Sequence, residues 1–362
     1  MPRQVEVVSD GDAAAPKGDG QNGEGVVEVP SQATAPVVTP GVEYTASIYS
    51  SQPLAPSFVQ LVRKLEASLG MPVWLLIQNE QYDEMGDPLR DPWASLEEEV
   101  LEGFFEARFD DPNGLEPGQK IALLIDSPGG YASVAYQLSR LFEQYCGGFI
   151  AVVPRRAKSA ATLLSLGSDA ILLGQFGQLG PLDVLAFDRD TEEYRFAIDE
   201  VQSPERIHAF ANFALDQSMW VLTRRSMRRA EKLLPIATRF VADLVRPLFE
   251  KIDSVHYSQM ARMLREGEDY ATRLLERKFT PKRAAAIART LVHKYASHSF
   301  VIDRKECAAV GLAPLLRKFT AEQMVLMEAM RDQFDEVIAI GRIVELTDRE
   351  NEDENDENEA EG

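Results

Sequence analysis

The chain is poor in cysteine and histidine, and it has no long apolar run. Two cysteines in 362 residues, Cys146 and Cys307, are too few for a disulfide framework. Both sit in apolar, helical-looking contexts, LFEQYCGGF and KECAAVGL, which suit small buried core residues. No stretch reaches about 18 uninterrupted apolar residues, so no transmembrane helix is expected. The opening MPRQVEVVSDGD lacks the apolar core of a secretory signal. These absences together point to a reducing, cytoplasmic setting. Neither HExxH nor CxxC nor a comparable set occurs among the four histidines and two cysteines, so no metal or other cofactor is expected. There is no P-loop, hence no ATPase of the chain's own, and no internal repeat.

Basic residues are outnumbered. The net charge of −20 argues against nucleic-acid binding, because neutralising phosphates takes clustered Lys and Arg. About half of the excess lies in residues 345–362, ELTDRENEDENDENEAEG, so the body of the chain is only moderately acidic. That run should stay solvated by self-repulsion, and residues 1–41, rich in Gly, Pro, Ala, Val and acids without a period, read as a disordered leader. Apolar content of 45% with 27% charged residues fits a soluble globular body between them.

That body patterns as α/β. Residues 56–69 carry a helical apolar stripe, Phe58, Leu61, Val62 and Leu65, stopped by Gly70. Short apolar runs at 72–78, 121–125, 149–153 and 170–173 read as buried strands. Helices are predicted at 95–109, at 131–145 and at 159–166, and the β-α-β-α-β run that results should form parallel strands. From about residue 203 to 278 the pattern is almost wholly helical. Thr280 and Pro281 mark a helix start, Asp303 with Glu306 resembles a capping box, and a last amphipathic helix is predicted over 320–340. The organisation expected is therefore a leader (1–41), an α/β core (42–202), a helical insertion (203–278), a completion of the core with a helix (279–344) and an acidic tail (345–362).

Two turns carry candidate chemistry. Asp126-Ser127-Pro128-Gly129-Gly130 follows a strand and opens a helix, where glycines let the main chain present N–H groups to an anion. Such donors suit an oxyanion hole, although a plain glycine turn has the same composition. One βα unit later, Ser159 falls at a helix start among small residues, and the Ala160 N–H next to it could complete that hole. A serine there is also a common N-cap. The coincidence of both turns on one scaffold favours an acyl-transfer site.

These residues support a resemblance. IDSPGG followed by AKSAAT is similar to the Clp-type serine peptidases of the Clp/crotonase superfamily. The continuation SLGSDAILLGQFGQLGPLD, and ASHSFVIDRKECAAVGL further on, resemble more closely the serine dehydrogenase proteinase family, whose members are proteinases despite the name. The likeness covers about 56–312, is strongest over 121–183 and is loose over 203–278. It implies a Clp/crotonase-like repeated ββα superhelix with a helical insertion and disordered termini. It also implies a homo-oligomeric serine endopeptidase, cleaving peptides or unfolded proteins through an acyl-enzyme at Ser159. Folded substrates would need a separate unfoldase.

Where Clp protease has its histidine, one strand past the nucleophile, this chain has ILLGQF, and no histidine precedes His208. The subgroup's order, Ser–Asp–His, is matched instead at Ser159, Asp183 and His298. The resemblance implies Ser159 as nucleophile, His298 as general base and then acid, and Asp183 as the group orienting the imidazole, with Gly129, Gly130 and Ala160 as oxyanion donors. Without it, Asp183 reads as a turn cap and His298 as a surface histidine. Val184-Leu185 departs from the Pro-Gln usual in the subgroup. Lys158, adjacent to Ser159, should point elsewhere, and a Ser–Lys dyad would have to draw on Lys232. Two other readings stand beside the peptidase. One is an inactive Clp-fold scaffold. The other is a crotonase-type enzyme for acyl-thioesters, for which paired glutamates near the turns are missing. Finally, Arg224, Arg228 and Lys232 are spaced to share one basic helix face, suited to solvent, an acidic partner, the tail or an anionic surface.

Overall fold

The computed structural model describes residues 38–39, 41–79, 81–82, 88–89, 91–110, 112–183, 185–188, 193–331, 333–335 and 337–346. The leader and the acidic tail thus lie almost wholly outside the described residues. What is described is a mixed α/β fold with ten α-helices.

Two short strands, β1 (Tyr44–Ala46) and β2 (Tyr49–Ser50), precede α1 (Pro56–Leu69) and β3 (Val73–Ile77). Proline at the first turn starts α1, and Gly70, at φ 67°, ends it with its N–H on Glu66 O. A small ladder of β4 (Gln81–Tyr82) and β5 (Pro88–Leu89) leads to α2 (Glu98–Glu106). The next units are β6 (Ile121–Asp126), α3 (Ala132–Gln144), β7 (Phe149–Val153), β8 (Arg156–Ala157), α4 (Ala160–Leu166), β9 (Ala170–Leu173) and β10 (Gln178–Leu179). A hairpin of β11 (Leu185–Asp188) and β12 (Glu193–Phe196) feeds the helices α5 (Ala197–Ser226), α6 (Ala230–Phe249), α7 (Ser254–Leu275) and α8 (Pro281–His293). The chain finishes with α9 (Arg304–Val310), a 3-10 turn at Ala313–Leu315, α10 (Ala321–Arg331), β13 (Ala339–Gly341) and β14 (Ile343–Glu345).

The main sheet has six strands in the order β2-β13-β3-β6-β7-β9. β3, β6, β7 and β9 are parallel, as the four apolar runs predicted, while β13 joins antiparallel to both β2 and β3. These four parallel strands are buried throughout, which explains why they read as continuous apolar runs rather than alternating ones. The pleat still sorts them. Trp74, Leu76, Leu123, Ile125, Ala151 and Ile171 pack with α2, α3, α4, α7 and α8. Leu75, Leu124, Val152 and Leu172 face the other way, onto α1 and α10. A second, smaller layer runs across the strand ends. Ser127 bridges Ala157 in parallel, β8 pairs parallel with β10, and Leu179 bridges Ile302 antiparallel.

Both cysteines are buried and unpaired, as their contexts indicated. Among the described residues no helix is long and apolar enough to cross a membrane. Several local expectations need correction. The helix expected over 320–340 stops at Arg331, and residues 339–345 supply β13 and β14 instead. A short, largely apolar segment fits either period, and the open edges of β3 and β1 decided it. The basic segment is not one helix face. Met227, at φ 56°, ends α5, and Ser226 Oγ turns back to Leu222 O at 2.7 Å, so Arg228 and Arg229 lie in the turn before α6. Thr280 precedes α8 but makes no side-chain cap, whereas Asp303 accepts from Glu306 N at 2.8 Å. The Glu306 carboxylate faces Lys294 and Tyr295, leaving only half of a capping box.

Within the predicted helical insertion, α7 buries Met260, Leu264, Ala271 and Leu274 in the main core. α6 packs its stripe of Leu233, Ala237, Val241 and Val245 inward, while Ile236, Phe240 and Leu244 remain exposed.

Candidate active site

The strand end that carries the glycine turn is anchored from below. Asp126 is fully buried and takes a bidentate contact from Arg155, Nε to Oδ1 at 2.9 Å and Nη2 to Oδ2 at 2.6 Å. Arg156 Nε stands 3.6 Å from the same carboxylate, and Asn79 Oδ1 accepts from both arginines. Hydrogen bonding to Asp126 holds the Arg155 guanidinium even further above neutrality than usual. Asp335 joins Arg155 from the C-terminal segment. A buried carboxylate is tolerable here because two guanidinium groups compensate it.

The turn itself is set by Ser127 and Gln78, both fully buried. Ser127 Oγ donates to Gln78 Oε1 at 2.7 Å and accepts from the Gly129 N–H at 3.1 Å. Gln78 Nε2 in turn donates to Trp93 O and Ser95 O. The expected oxyanion role of Gly129 therefore changes, because its N–H is turned back into the loop. Its part is steric. At φ 114°, a Cβ there would come within 2.8 Å of Ser159 Cβ and Lys158 O. Gly130, at φ 142°, lies against the Leu96 backbone. The bridge to Leu96 uses Gly129 O and the Tyr131 N–H, leaving the Gly130 N–H outside it.

Among the described residues two non-glycines have a positive φ, and of these Met227 lies in the left-handed helical region while Ser159 does not. The Ser159 backbone is at φ 48°, ψ −118°, outside the regions open to L-residues, on a tight turn between β8 and α4. Such a conformation costs about 1–3 kcal/mol and persists only where its surroundings overdetermine it. They do so here. Ser127 N donates to Arg156 O and Lys158 N to Ser127 O, tying the two turns together at 3.1 and 3.0 Å. Thr162 Oγ1 donates to Ala157 O at 2.6 Å and accepts from the Gly180 N–H at 2.9 Å. The glycines at 129 and 180 supply the room, since a Cβ on Gly180 would meet Lys158 Cδ at 2.8 Å.

Ser159 does not cap its helix. Its hydroxyl donates to Asp183 O at 3.2 Å, which sets aside the N-cap reading. The Ala160 N–H stands at the first position of α4, where no intrahelical acceptor exists. Asp183 is buried, and its Oδ1 accepts from Ile198 N at 3.2 Å, so the carboxylate caps the start of α5. His298 lies in the segment between α8 and α9, its ring stacked on Phe196 at 4.8 Å and 18°. Its Nδ1 is buried without a hydrogen bond among the described residues. Burial, and secondarily the charge of Lys158, holds the imidazole below its ordinary pKa, favouring the neutral ring.

The fold thus gathers Ser159, the Asp183 main chain and the His298 segment, but no hydrogen bond joins serine to imidazole or imidazole to the Asp183 carboxylate in this state. Lys232 is exposed on α6 and takes no part. Sequence reasoning missed Phe196, for which nothing in the motif gives a signal, and set aside Lys158. The Lys158 ammonium is half-buried and donates to Gln178 Oε1, Leu179 O and Phe300 O. Burial, followed by the charge of Arg156, brings it down to about 8.

No family model and no curated protein matches the chain. Among solved structures it is similar to a mutant of the 1510-N membrane-bound stomatin-specific protease, at 19% identity and a TM-score of 0.24. That match covers 41% of this chain and 66% of the other. An overlay of this extent leaves the chemistry to be argued from the side chains themselves.

Proposed function

We propose that the chain is a serine peptidase with Ser159 as its nucleophile. The observation that carries this reading is the backbone of Ser159 at φ 48°, ψ −118°. A strained strand-to-helix turn lifts a hydroxyl clear of its own helix and offers it to substrate. The hydroxyl's engagement away from the helix, and the unused N–H of Ala160 beside it, support the same role. The short ladder Ser127, Ala157 and β10 beneath the site supports a Clp-like ββα arrangement, in keeping with the resemblance of the two motifs.

In the proposed reaction, His298 removes the Ser159 proton as the oxygen attacks the scissile carbonyl, then returns it to the leaving amine. The Gly130 and Ala160 N–H groups receive the oxyanion, each such donor stabilising the transition state by roughly 2.7–4 kcal/mol. Asp183 orients the imidazole in the substrate-bound state by exchanging Ile198 N–H for His298 Nδ1. Peptides and unfolded segments are the proposed substrates, a homo-oligomer the proposed assembly, and an unfoldase on another chain the proposed source of unfolded protein.

A non-catalytic scaffold is the second reading, favoured by the His298 Nδ1, which is buried without a hydrogen bond among the described residues. Labelling with a fluorophosphonate separates the two. The peptidase reading expects labelling of the wild type that Ser159→Ala abolishes and His298→Ala reduces by orders of magnitude. Persistent labelling of Ser159→Ala, or none of the folded, assembled wild type, would overturn it.

A further inference from the structure

Lys158 sits between the two halves of the site. Its main chain belongs to the Ser159 turn, with the N–H on Ser127 O at 3.0 Å. Its side chain runs beside Gly180, where an added Cβ would come within 2.8 Å of Lys158 Cδ. The ammonium then meets three acceptors, Gln178 Oε1 at 2.9 Å, Leu179 O at 3.2 Å and Phe300 O at 3.3 Å. Two belong to β10 and the third lies two residues beyond His298. An ammonium has three protons, and here each has an acceptor.

The His298 segment is also held by the stacking of His298 on Phe196 and the packing of Phe300 on Tyr295, but its hydrogen bonds to the rest of the fold are few among the described residues. Leu179 and Ile302 exchange two backbone hydrogen bonds, at 3.0 and 3.1 Å, on the far side of Phe300. On the near side Tyr295 is bound to Glu306. Between these points Ser297 and Ser299 bond only to each other, apart from the Phe300 N–H on Ser297 O. Among the described residues, the Lys158–Phe300 bond is thus the hydrogen bond that ties this loop to the serine turn.

We propose that Lys158 is the positioning residue of this site, its ammonium clamping the His298-bearing loop onto the Ser159 turn and β10. The inference rests on the peptidase reading only for its catalytic consequence, because the clamp itself is structural. The same charge also disfavours protonation of His298, whose neutral ring is the form able to accept a proton. The titratable and charged groups around the clamp are Arg156 on its own turn, His298 on the loop and Asp183 beside Ser159. β10 contributes none.

The test is Lys158→Met, read three ways on the full-length assembled protein. The His298 imidazole is titrated by NMR, assigned by loss of its signal in His298→Ala. Amide exchange is followed over residues 297–300, and fluorophosphonate labelling is measured against pH. The clamp predicts an upward shift of the His298 midpoint, at least tenfold faster exchange and at least tenfold slower labelling. A rescue separates a clamp from mere packing. Cys146 and Cys307 are buried, so Lys158→Cys treated with bromoethylamine regains an ammonium of lysine length at this position alone, and it should recover all three properties. Midpoint, exchange and labelling within twofold of wild type in Lys158→Met would overturn the proposal, as would a failure of the rescue. Should Lys158→Met not fold, the untreated and treated Lys158→Cys proteins decide the matter by the same readings. If the wild type is not labelled at all, the peptidase reading fails while titration and exchange still judge the clamp.

Discussion

The Ser159 hydroxyl donates to the main-chain carbonyl of Asp183, 3.2 Å away, and not to the helix that Ser159 introduces. This contact joins the turn after β8 to the loop after β10, 24 residues on. It fixes a hydroxyl whose backbone is already held in a conformation that serine disfavours. A side chain so arranged contributes little to its helix and is available for chemistry, which leads to the expectations below.

Strain at Ser159 should be measurable as stability. Glycine has no Cβ and accepts a positive φ, whereas alanine keeps the penalty. Ser159→Gly should be more stable than Ser159→Ala by about 1–2 kcal/mol, and both should be inactive. Urea unfolding of the two variants checks this. Equal midpoints would mean that the turn is not strained.

Gly129 should not tolerate a side chain. Its φ of 114°, and 2.8 Å contacts to both Ser159 Cβ and Lys158 O for any added Cβ, make Gly129→Ala destabilising by at least about 2 kcal/mol. Loss of labelling should accompany the loss of stability, since the atom displaced first is Ser159 Cβ. A variant as stable and as reactive as wild type would show that the two turns are not in contact.

Asp126 anchors the site without touching it. Asp126→Asn leaves Arg155 and Arg156 beside a neutral group, and removing one partner of a buried pair costs about 3–5 kcal/mol. The lower end is expected, because Arg155 is partly exposed. The unfolding free energy measures it, and a change below about 1 kcal/mol would show that the pair contributes nothing net.

The pH dependence has two limbs of known sign. His298 is held below its ordinary value, so labelling should fall only as pH drops below 6.5 and the ring gains its proton. Lys158, at about 8 against an ordinary 10.5, defines the alkaline side, where the clamp loses its charge. For stability, the unfolded chain holds the Lys158 proton between about 8 and 10.5 while the folded chain has released it. The folding cost of that buried charge is therefore complete below about pH 8 and is relieved as pH rises towards 10.5. Labelling profiles and urea midpoints across this range, for wild type and Lys158→Met, check both signs. A profile that Lys158→Met leaves unchanged at its alkaline end would remove Lys158 from the account.

By itself the sequence determined what depends on near neighbours. The four buried parallel strands, the start of α1 at Pro56 and its stop at Gly70 follow from apolar runs and local backbone preferences. So do the two turns that meet at the site, which glycine and small residues announce. Only the tertiary structure decided the rest. Residues 339–345 became strands because open sheet edges were there to pair with, and the basic segment broke at Met227 where two helices pack back on each other. The Gly129 N–H was taken by Ser127, and Lys158 was drawn to acceptors as distant as Phe300, 142 residues away. The physical reason is common to these cases. A period or a cap is written in adjacent residues, but a hydrogen-bond partner from another strand exists only once the core has brought the strands together.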